Sequence, residues 1–475
     1  MAARPAHCRS PPRGGLEANM RILFLALQLP APADNGLRQR TAAMLTALRA
    51  AGHEIVLLAA AGDHGLREAA RQQLRSWCRD WEVMTLPAAR LSGGNLRKRW
   101  IAWRTGQAYA ACRFQSPALR ARIQAWLDQE NFDAVWCETP YMTASLPERI
   151  PPLIINSHNI EHKILERYLT IEPRVWRRVY ARHELRRLRR WEGQALARAR
   201  LIFACSELEC QQIRLWLSPS ARPPRVAYAP NIVAPWPAAI PFPAPATGPA
   251  RLLFVGGLNW LPNRDAVEWF ARQVWPRVHA VRPESEWWVV GQPGPARWQR
   301  RWRSTPGLRF LGRADNVRDC MAQAAVVLAP LRVGAGTRLK ILEAASLGRT
   351  VVATTIGAEG LHFTPGREIE IADDAGAMAE AILACLRSPV MALRMGQAAR
   401  NRAQAEYSPA RLARQVADEL AGWPRKERHG AVLPVSCLHA ARTQPIAGHP
   451  SGSGNHDEIS GPGLSSVGAG QGAAG

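Results

Sequence analysis

The stretch VGAGTRLKILEAASLGRTVVATTIGAEG, Val333 to Gly360, sets two glycines before a Thr-Arg-Leu-Lys run and then places one glutamate, Glu343, in an otherwise apolar segment. Thr337 is an acceptable N-cap, Arg338 to Leu347 has helix-forming composition with Leu339, Leu342 and Ser346 on one face, and Gly348 stands where a C′ glycine belongs. The pattern predicts a helix of about three turns. Thr350 to Thr355 is β-branched and bounded by Gly348 and Gly357, and Ala325 to Pro330 is a second apolar run before the turn. Both read as buried strands. Strand, glycine-rich turn, helix, strand is a βαβ unit. Gly334 and Gly336 then lie at the carboxyl end of a parallel strand, where open α/β sheets bind ligands.

The chemistry of such a turn follows from its position. Glycines let a ligand approach the backbone, the helix start offers unpaired N–H groups, and Arg338 and Lys340 add positive charge beside them. A phosphate suits that arrangement. Glu343, one turn further in, would be costly to bury unless it met hydroxyls or a cation, and a ribose would satisfy it. The residues alone leave a second reading open, in which Lys340 and Glu343 form an i,i+3 pair worth about 0.2–0.5 kcal/mol on a solvated face.

Working outward, 475 residues exceed one ordinary core, and 47% apolar content supports globularity. The net charge of +24 looks like that of a nucleic-acid binder, yet the only lysines are Lys98, Lys163, Lys340 and Lys426. Arginine and alanine richness with scarce lysine points to a GC-rich coding bias, which discounts the charge as a functional signal. The nine cysteines show no CxxC pair or metal-ligand rhythm and are expected to be reduced thiols. No run reaches the about 18 apolar residues that span a bilayer. Ile22 to Leu27 followed by Ala31-Pro-Ala imitates a signal peptide, but a helix at Gln39 to Ala51 and a strand at Glu54 to Ala60 make Arg21 to Leu27 a first Rossmann strand, with Gln28 to Arg38 a loop.

Further strands are expected at Ala134 to Cys137, Pro152 to Asn156 and Leu201 to Cys205. The composition then changes to APWPAAIPFPAPATGPA, a Pro-rich connector over 234–250. A second alternating series follows, with a strand at Arg251 to Val255, Gly256-Gly257, a helix from about Arg264 and a strand at Trp287 to Gly291. The expected plan is α/β with two Rossmann-like domains facing a cleft. Residues 20–233 form one domain and 251–407 the other, with a terminal helix over 408–424 and disordered segments at 1–19 and 425–475. Neither half carries GxGxxG, so no nicotinamide or flavin cofactor is indicated.

These residues carry a resemblance. The block Leu311 to Leu361, with FVGGLNWLPNRDAVEWF at Phe254 to Phe270, PAPADNGLRQRT at Pro30 to Thr41, NSHNIEHKILER at Asn156 to Arg167 and ACSELE at Ala204 to Glu209, resembles family 4 retaining glycosyltransferases of the GT-B fold. The resemblance is nearest to transferases of bacterial exopolysaccharide systems and covers roughly Met20 to Trp423. It implies that Glu343 binds the ribose of a nucleotide diphosphate-sugar, and it makes Gly334, Gly336, Thr337, Arg338, Lys340 and Gly257 donor-binding positions. The family's other glutamate falls on Ala335, and its usual Arg and Lys after the first strand of the second domain fall on Gly257 and Pro262. Arg338 and Lys340 are therefore assigned to the donor diphosphate. Asn35-Gly36 resembles the loop that lets acceptor and diphosphate meet, and equally reads as an ordinary turn. His158 matches a cleft histidine and is the catalytic candidate. His162 lacks a third ligand beside it, so no metal is expected.

The implied reaction moves a sugar from the nucleotide donor to a saccharide or lipid-linked acceptor with retention, needing no protein nucleophile and no cofactor. A GT-B nucleotide-sugar epimerase is the alternative within the fold, and a basic nucleic-acid-binding protein the alternative outside it. No RNP-like strand, helix-turn-helix or zinc pattern supports the last, and no nucleic acid is expected as a partner. The basic stretch Arg174 to Arg200, interleaved with Trp176, Tyr180 and Trp191, adds an anionic membrane surface as a further partner, with a solvated arginine face as the competing reading. The expected location is cytoplasmic, peripheral at the inner face of the plasma membrane.

Overall fold

In a computed structural model the chain is described over 19–61, 68–85, 94–220, 222–233, 249–314 and 316–424. The expected connector and the two terminal segments lie almost wholly outside these residues. Two parallel sheets organise the molecule. The first contains β1 (Arg21–Ala26), β2 (Glu54–Ala61), β3 (Asp80–Thr85), β4 (Ala134–Cys137), β5 (Leu153–Ser157), β6 (Leu201–Ala204) and β7 (Arg225–Tyr228), in the order β3-β2-β1-β4-β5-β6-β7. The second contains β8 (Arg251–Val255), β9 (Glu286–Val290), β10 (Leu308–Gly312), β11 (Val326–Ala329), β12 (Val351–Ala353) and β13 (Glu370–Ile371), in the order β10-β9-β8-β11-β12-β13.

The register explains the apolar runs. Leu23 pairs with Val56 and Val135, and Phe24 with Leu57 and Trp136, so the central strands are covered on both faces. Continuous apolar runs are what such strands require. Phe24, Trp136 and Phe203 stack across β1, β4 and β6 on one face, with ring centroids 5.5 and 5.4 Å apart. In each sheet the order reverses beside the first strand, and the crevice outside the carboxyl ends of β1 and β4, or of β8 and β11, is where such folds place ligands.

Two expected helix starts are corrected. The first helix runs Gly36–Ala50 rather than from Gln39, because the Asn35 side chain accepts from the Arg38 N–H at 3.0 Å and caps it. Asn35-Gly36 is thus a helix N-terminus, not a loop. The helix of the opening stretch is Leu339–Ser346, and its N-cap is Arg338. Thr337 lies one residue before that cap, and its hydroxyl accepts from Asn231 Nδ2 at 2.7 Å. Gly348 follows the C-cap with φ +67°, the left-handed conformation expected of a C′ glycine.

The chain crosses back at its end. Ser408 caps the helix Pro409–Leu420, whose Leu412, Val416 and Leu420 pack with Met44, Leu45 and Leu48 of Gly36–Ala50. Trp423 closes the contact, its Nε1 donating to the Asp133 carbonyl at 3.2 Å. A residue more than 350 positions away in sequence therefore braces the helix that reaches the cleft. Leu412 is 1% exposed, so Leu412→Ala is expected to cost about 2–5 kcal/mol by the usual penalty of a buried cavity. Denaturant unfolding followed by tryptophan fluorescence reads this as an earlier first-domain transition, and an unmoved midpoint would refute it.

Candidate active site

The carboxyl ends of the two sheets face each other, and side chains from both meet there. From the second domain come the turn Gly334–Arg338 and the helix Leu339–Ser346. From the first come the N-terminus of Gly36–Ala50, Glu138 after β4, His158 after β5 and Cys205 after β6.

Glu343 is half-buried and accepts a hydrogen bond from Gln39 Nε2 at 3.1 Å, across the cleft. Burial raises its carboxyl above the usual range, and the Gln39 bond, Arg318 and Lys340 pull it back. Lys340 reaches Asn263 Oδ1 at 3.2 Å and lies 4.1 Å from the centre of the Phe254 ring. Desolvation, with Arg338 adding repulsion, lowers its amine to about 7, and Glu343 opposes this. Asn263 in turn donates to the Gly257 carbonyl at 2.9 Å, which ties Lys340 to the Gly256-Gly257 turn. That turn supplies backbone rather than charge.

Arg338 does not point alongside Lys340. Its Nη1 donates back to the carbonyls of Ala335 and Gly336, the latter at 2.9 Å. Nε and Nη2 are buried with no hydrogen-bond partner, a costly state for a guanidinium that an anion would relieve. Burial lowers its pKa, with the nearby Glu359 working the other way.

The two glycines of the turn make room for protein atoms. A Cβ at Gly334, where φ is +141°, would come 2.5 Å from Arg338 Nη2. At Gly336, where φ is +75°, it would come 2.6 Å from the His158 carbonyl oxygen. The His158 backbone is therefore seated on the glycine turn. Ala335 is 4% exposed and packs with Ile164 and Val333 in an apolar patch that also involves Tyr168, Ile171 and Trp260. The alanine methyl packs with these apolar groups, where a carboxylate would have to be desolvated.

His158 Nε2 lies 2.9 Å from Glu138 Oε1. Burial lowers the pKa of the ring, and Glu138 opposes that shift. His162 is held elsewhere: its Nδ1 lies 2.8 Å from Glu192 Oε2, and Glu192 also accepts the backbone N–H groups of Glu161 and His162 at 2.8 and 3.1 Å. Glu192 thus caps a helix start that has no side-chain cap of its own. Among the described residues no group of three or more His, Cys, Asp or Glu could hold a metal ion.

Asn35 marks the rim, its Nδ2 donating to Gln28 Oε1 at 3.2 Å, while a Cβ on Gly36 would stand 3.2 Å from Leu339 Cδ1 of the opposite domain. Arg167 spans the cleft with a bidentate pair to Glu359, both bonds 2.6 Å, and also donates to the Gly334 carbonyl. Burial alone would raise the Glu359 carboxyl, but the Arg167 bonds and charge hold it below its usual range. Asp34 pairs with Arg313 at the other rim.

Gln39, Glu138, Arg167, Asn263 and Glu359 escaped sequence reasoning as site residues. Arg167 and Glu359 stood inside quoted motifs, and Asn263 inside the run after β8. Glu138 had only its place immediately after a strand end as a signal.

Comparison with known proteins agrees with the two-domain fold. Residues 35–232 match the glycosyl transferase 4-like domain model and 249–388 the model for glycosyl transferases group 1. An uncharacterised 44.6 kDa protein of the cps region of Klebsiella pneumoniae is 22% identical over 373 residues, covering 74% of this chain and 88% of that protein. Among solved structures, sucrose-phosphate synthase from Thermosynechococcus elongatus aligns with a TM-score of 0.62 at 18% identity, over 84% of this chain and 98% of its own. Anabaena HepE in complex with UDP-glucose aligns at 0.56 and 15%, over 85% and 100%. WaaG, a glycosyltransferase involved in lipopolysaccharide biosynthesis, aligns at 0.56 and 14%, over 84% and 100%. With a 4-like domain followed by a group 1 domain, folded as two parallel-sheet α/β units across a cleft, the chain belongs to the GT-B glycosyltransferases.

Proposed function

We propose that the protein transfers a sugar, with retention at the anomeric carbon, from a nucleotide diphosphate-sugar to a saccharide or lipid-linked saccharide in the synthesis of a cell-surface glycan. The observation that carries this reading is the facing of Glu343, Lys340 and the Arg338 guanidinium, whose Nε and Nη2 have no partner, by Gln39 and His158 at the carboxyl ends of both sheets. Glu343 would accept from ribose hydroxyls in place of Gln39. Lys340 and Arg338 would stabilise the charge that develops on the departing diphosphate. HepE, whose structure contains UDP-glucose, supports a nucleotide-sugar donor, and the cps-region relative supports a glycan product.

In the mechanism proposed, the acceptor oxygen bonds to the anomeric carbon on the face from which the diphosphate oxygen departs, and that oxygen takes the acceptor proton. No protein nucleophile and no cofactor enters this step. The protein aligns the partners and neutralises the leaving group.

The membrane part of the proposal rests on one surface. Trp100 and Trp103 are 56% and 71% exposed on the helix Gly94–Thr105, and Trp176 is 55% exposed on Val175–Ala197. Arg187 Nη1 donates to the Ala102 carbonyl at 3.5 Å and joins the two helices. Glu184 and Glu192, the only acids of Val175–Ala197, are both buried, so the charge exposed along it is cationic. Tryptophans ringed by arginines suit the headgroup region of an anionic bilayer. No single described helix is long and apolar enough to cross a membrane. The location proposed is therefore peripheral, at the cytoplasmic face where nucleotide-sugars are held.

Three measurements test the reading. Glu343→Ala is expected to weaken nucleoside-diphosphate binding by at least tenfold, about 1.4 kcal/mol, in a folded enzyme. Calorimetry with unchanged affinity rejects the ribose role, and conversion of a nucleotide-sugar without acceptor would replace transfer by epimerisation. For Lys340 the sign is fixed by its lowered pKa. Below pH 7 the amine is already charged, whereas above it the amine must take up a proton when the diphosphate arrives, so affinity falls with rising pH by up to about tenfold per unit. Lys340→Arg, always protonated, is expected to flatten that slope, and a flat wild-type profile between pH 7 and 9 refutes the assignment. For the membrane surface, flotation with anionic vesicles should recover the protein at low salt and lose it on joint Trp100→Ala, Trp103→Ala and Trp176→Ala substitution. Equal recovery of both proteins contradicts the surface named.

A further inference from the structure

Glu138 is 1% exposed and stands just beyond the carboxyl end of β4. Its Oε2 receives Trp136 Nε1 at 2.9 Å, and its Oε1 receives Asn156 Nδ2 at 2.8 Å and His158 Nε2 at 2.9 Å. The direction of these bonds can be derived. An indole N–H only donates. The Asn156 amide is oriented without ambiguity, because its oxygen is taken by Arg40 Nε and Nη2 at 3.2 and 2.7 Å, and a guanidinium cannot accept. Both carboxylate oxygens thus face donors, and the third donor is the Nε2–H of His158.

An uncharged imidazole has one N–H, so the other nitrogen carries a lone pair. Burial favours that uncharged ring. Among the described residues Nδ1 bonds to no protein group, while the carbonyl of the same residue is seated on Gly336 in the turn before Arg338. We propose that Glu138 is a positioning residue of the transfer site: by receiving Nε2–H of His158 it leaves Nδ1 as a bare acceptor for a hydroxyl of the sugar being transferred. The other tautomer would present an N–H to the cleft, from which the sugar hydroxyl would have to accept instead of donating. The inference rests on the donor reading given above and adds to it a residue from outside the quoted motifs.

The test uses the full-length protein and Glu138→Gln. Nitrogen-15 imidazole spectra, with the His158 signal assigned by its loss in His158→Ala, should show Nε2–H in the wild type. In Glu138→Gln an amide N–H2 faces at least one of the former donors, and the His158 proton is expected to move to Nδ1. With it, kcat should fall about tenfold or more while nucleoside-diphosphate affinity stays within about twofold. The acid limb of the kcat/KM profile should move to lower pH, because the carboxylate that favours the protonated ring is gone. A packing role alone would lower stability and leave tautomer and pH profile in place.

Nδ1–H in the wild type overturns the proposal, and this measurement decides even if Glu138→Gln does not fold. A folded Glu138→Gln with wild-type kcat also overturns it. A wild-type protein that binds no nucleoside diphosphate would instead defeat the donor reading, which the substrate-free spectra do not depend on.

Discussion

Arg40 is 3% exposed, and the structure around the cleft is arranged to solvate its charge. The guanidinium donates to Asn156 Oδ1, to the Ala229 carbonyl at 2.9 Å and to Asn231 Oδ1 at 3.1 Å. An uncompensated buried charge costs several kcal/mol, so the ends of β5 and β7 and the first helix are held to one geometry. From there the network branches. Through Asn156 it reaches Glu138 and His158, and through Asn231 it reaches Thr337 near the end of the turn Gly334–Arg338. Through two asparagine amides, Arg40 connects the Glu138–His158 pair of the first domain with Thr337 of the second.

The domains meet through a small set of contacts of different kinds. An apolar patch of Ile164, Val333 and Ala335 sits beside the Arg167–Glu359 pair, and polar bonds such as Gln39–Glu343 lie further in. Glycines at 334 and 336 allow the close approach. Interfaces of this mixed character permit relative domain motion, which the proposed admission of a nucleotide-sugar would use. The Gln39 amide donates to Glu343, so this half-buried carboxyl is satisfied by the opposite domain.

How much was legible in the sequence differs by position in the sheets. The central strands, β1, β2, β4, β5 and β6 in the first sheet and β8, β9, β11 and β12 in the second, announce themselves as apolar runs because both their faces are covered. The strands that escaped reading are the four edges, β3, β7, β10 and β13. β10 alternates between partly buried and exposed residues, and β13 has two residues, so neither has an apolar run to find. The early helix start also escaped, because Asn-Gly is a turn signal unless the amide caps the following turn, as Asn35 does.

The sequence by itself determined the βα alternation, the family motifs and the identity of the polar residues at Gly334 to Glu343, because these depend on local periodicity and on spacing within one segment. Tertiary structure alone decided what those residues face. Gln39 and Glu343 are 304 positions apart, Arg167 and Glu359 are 192 apart, and Arg40 and Asn156 are 116 apart. Hydrogen bonds across such separations leave no periodic trace. Their geometry is set by sheet order, which brings distant strand ends to one edge, and by the burial that makes unpaired polar groups there costly.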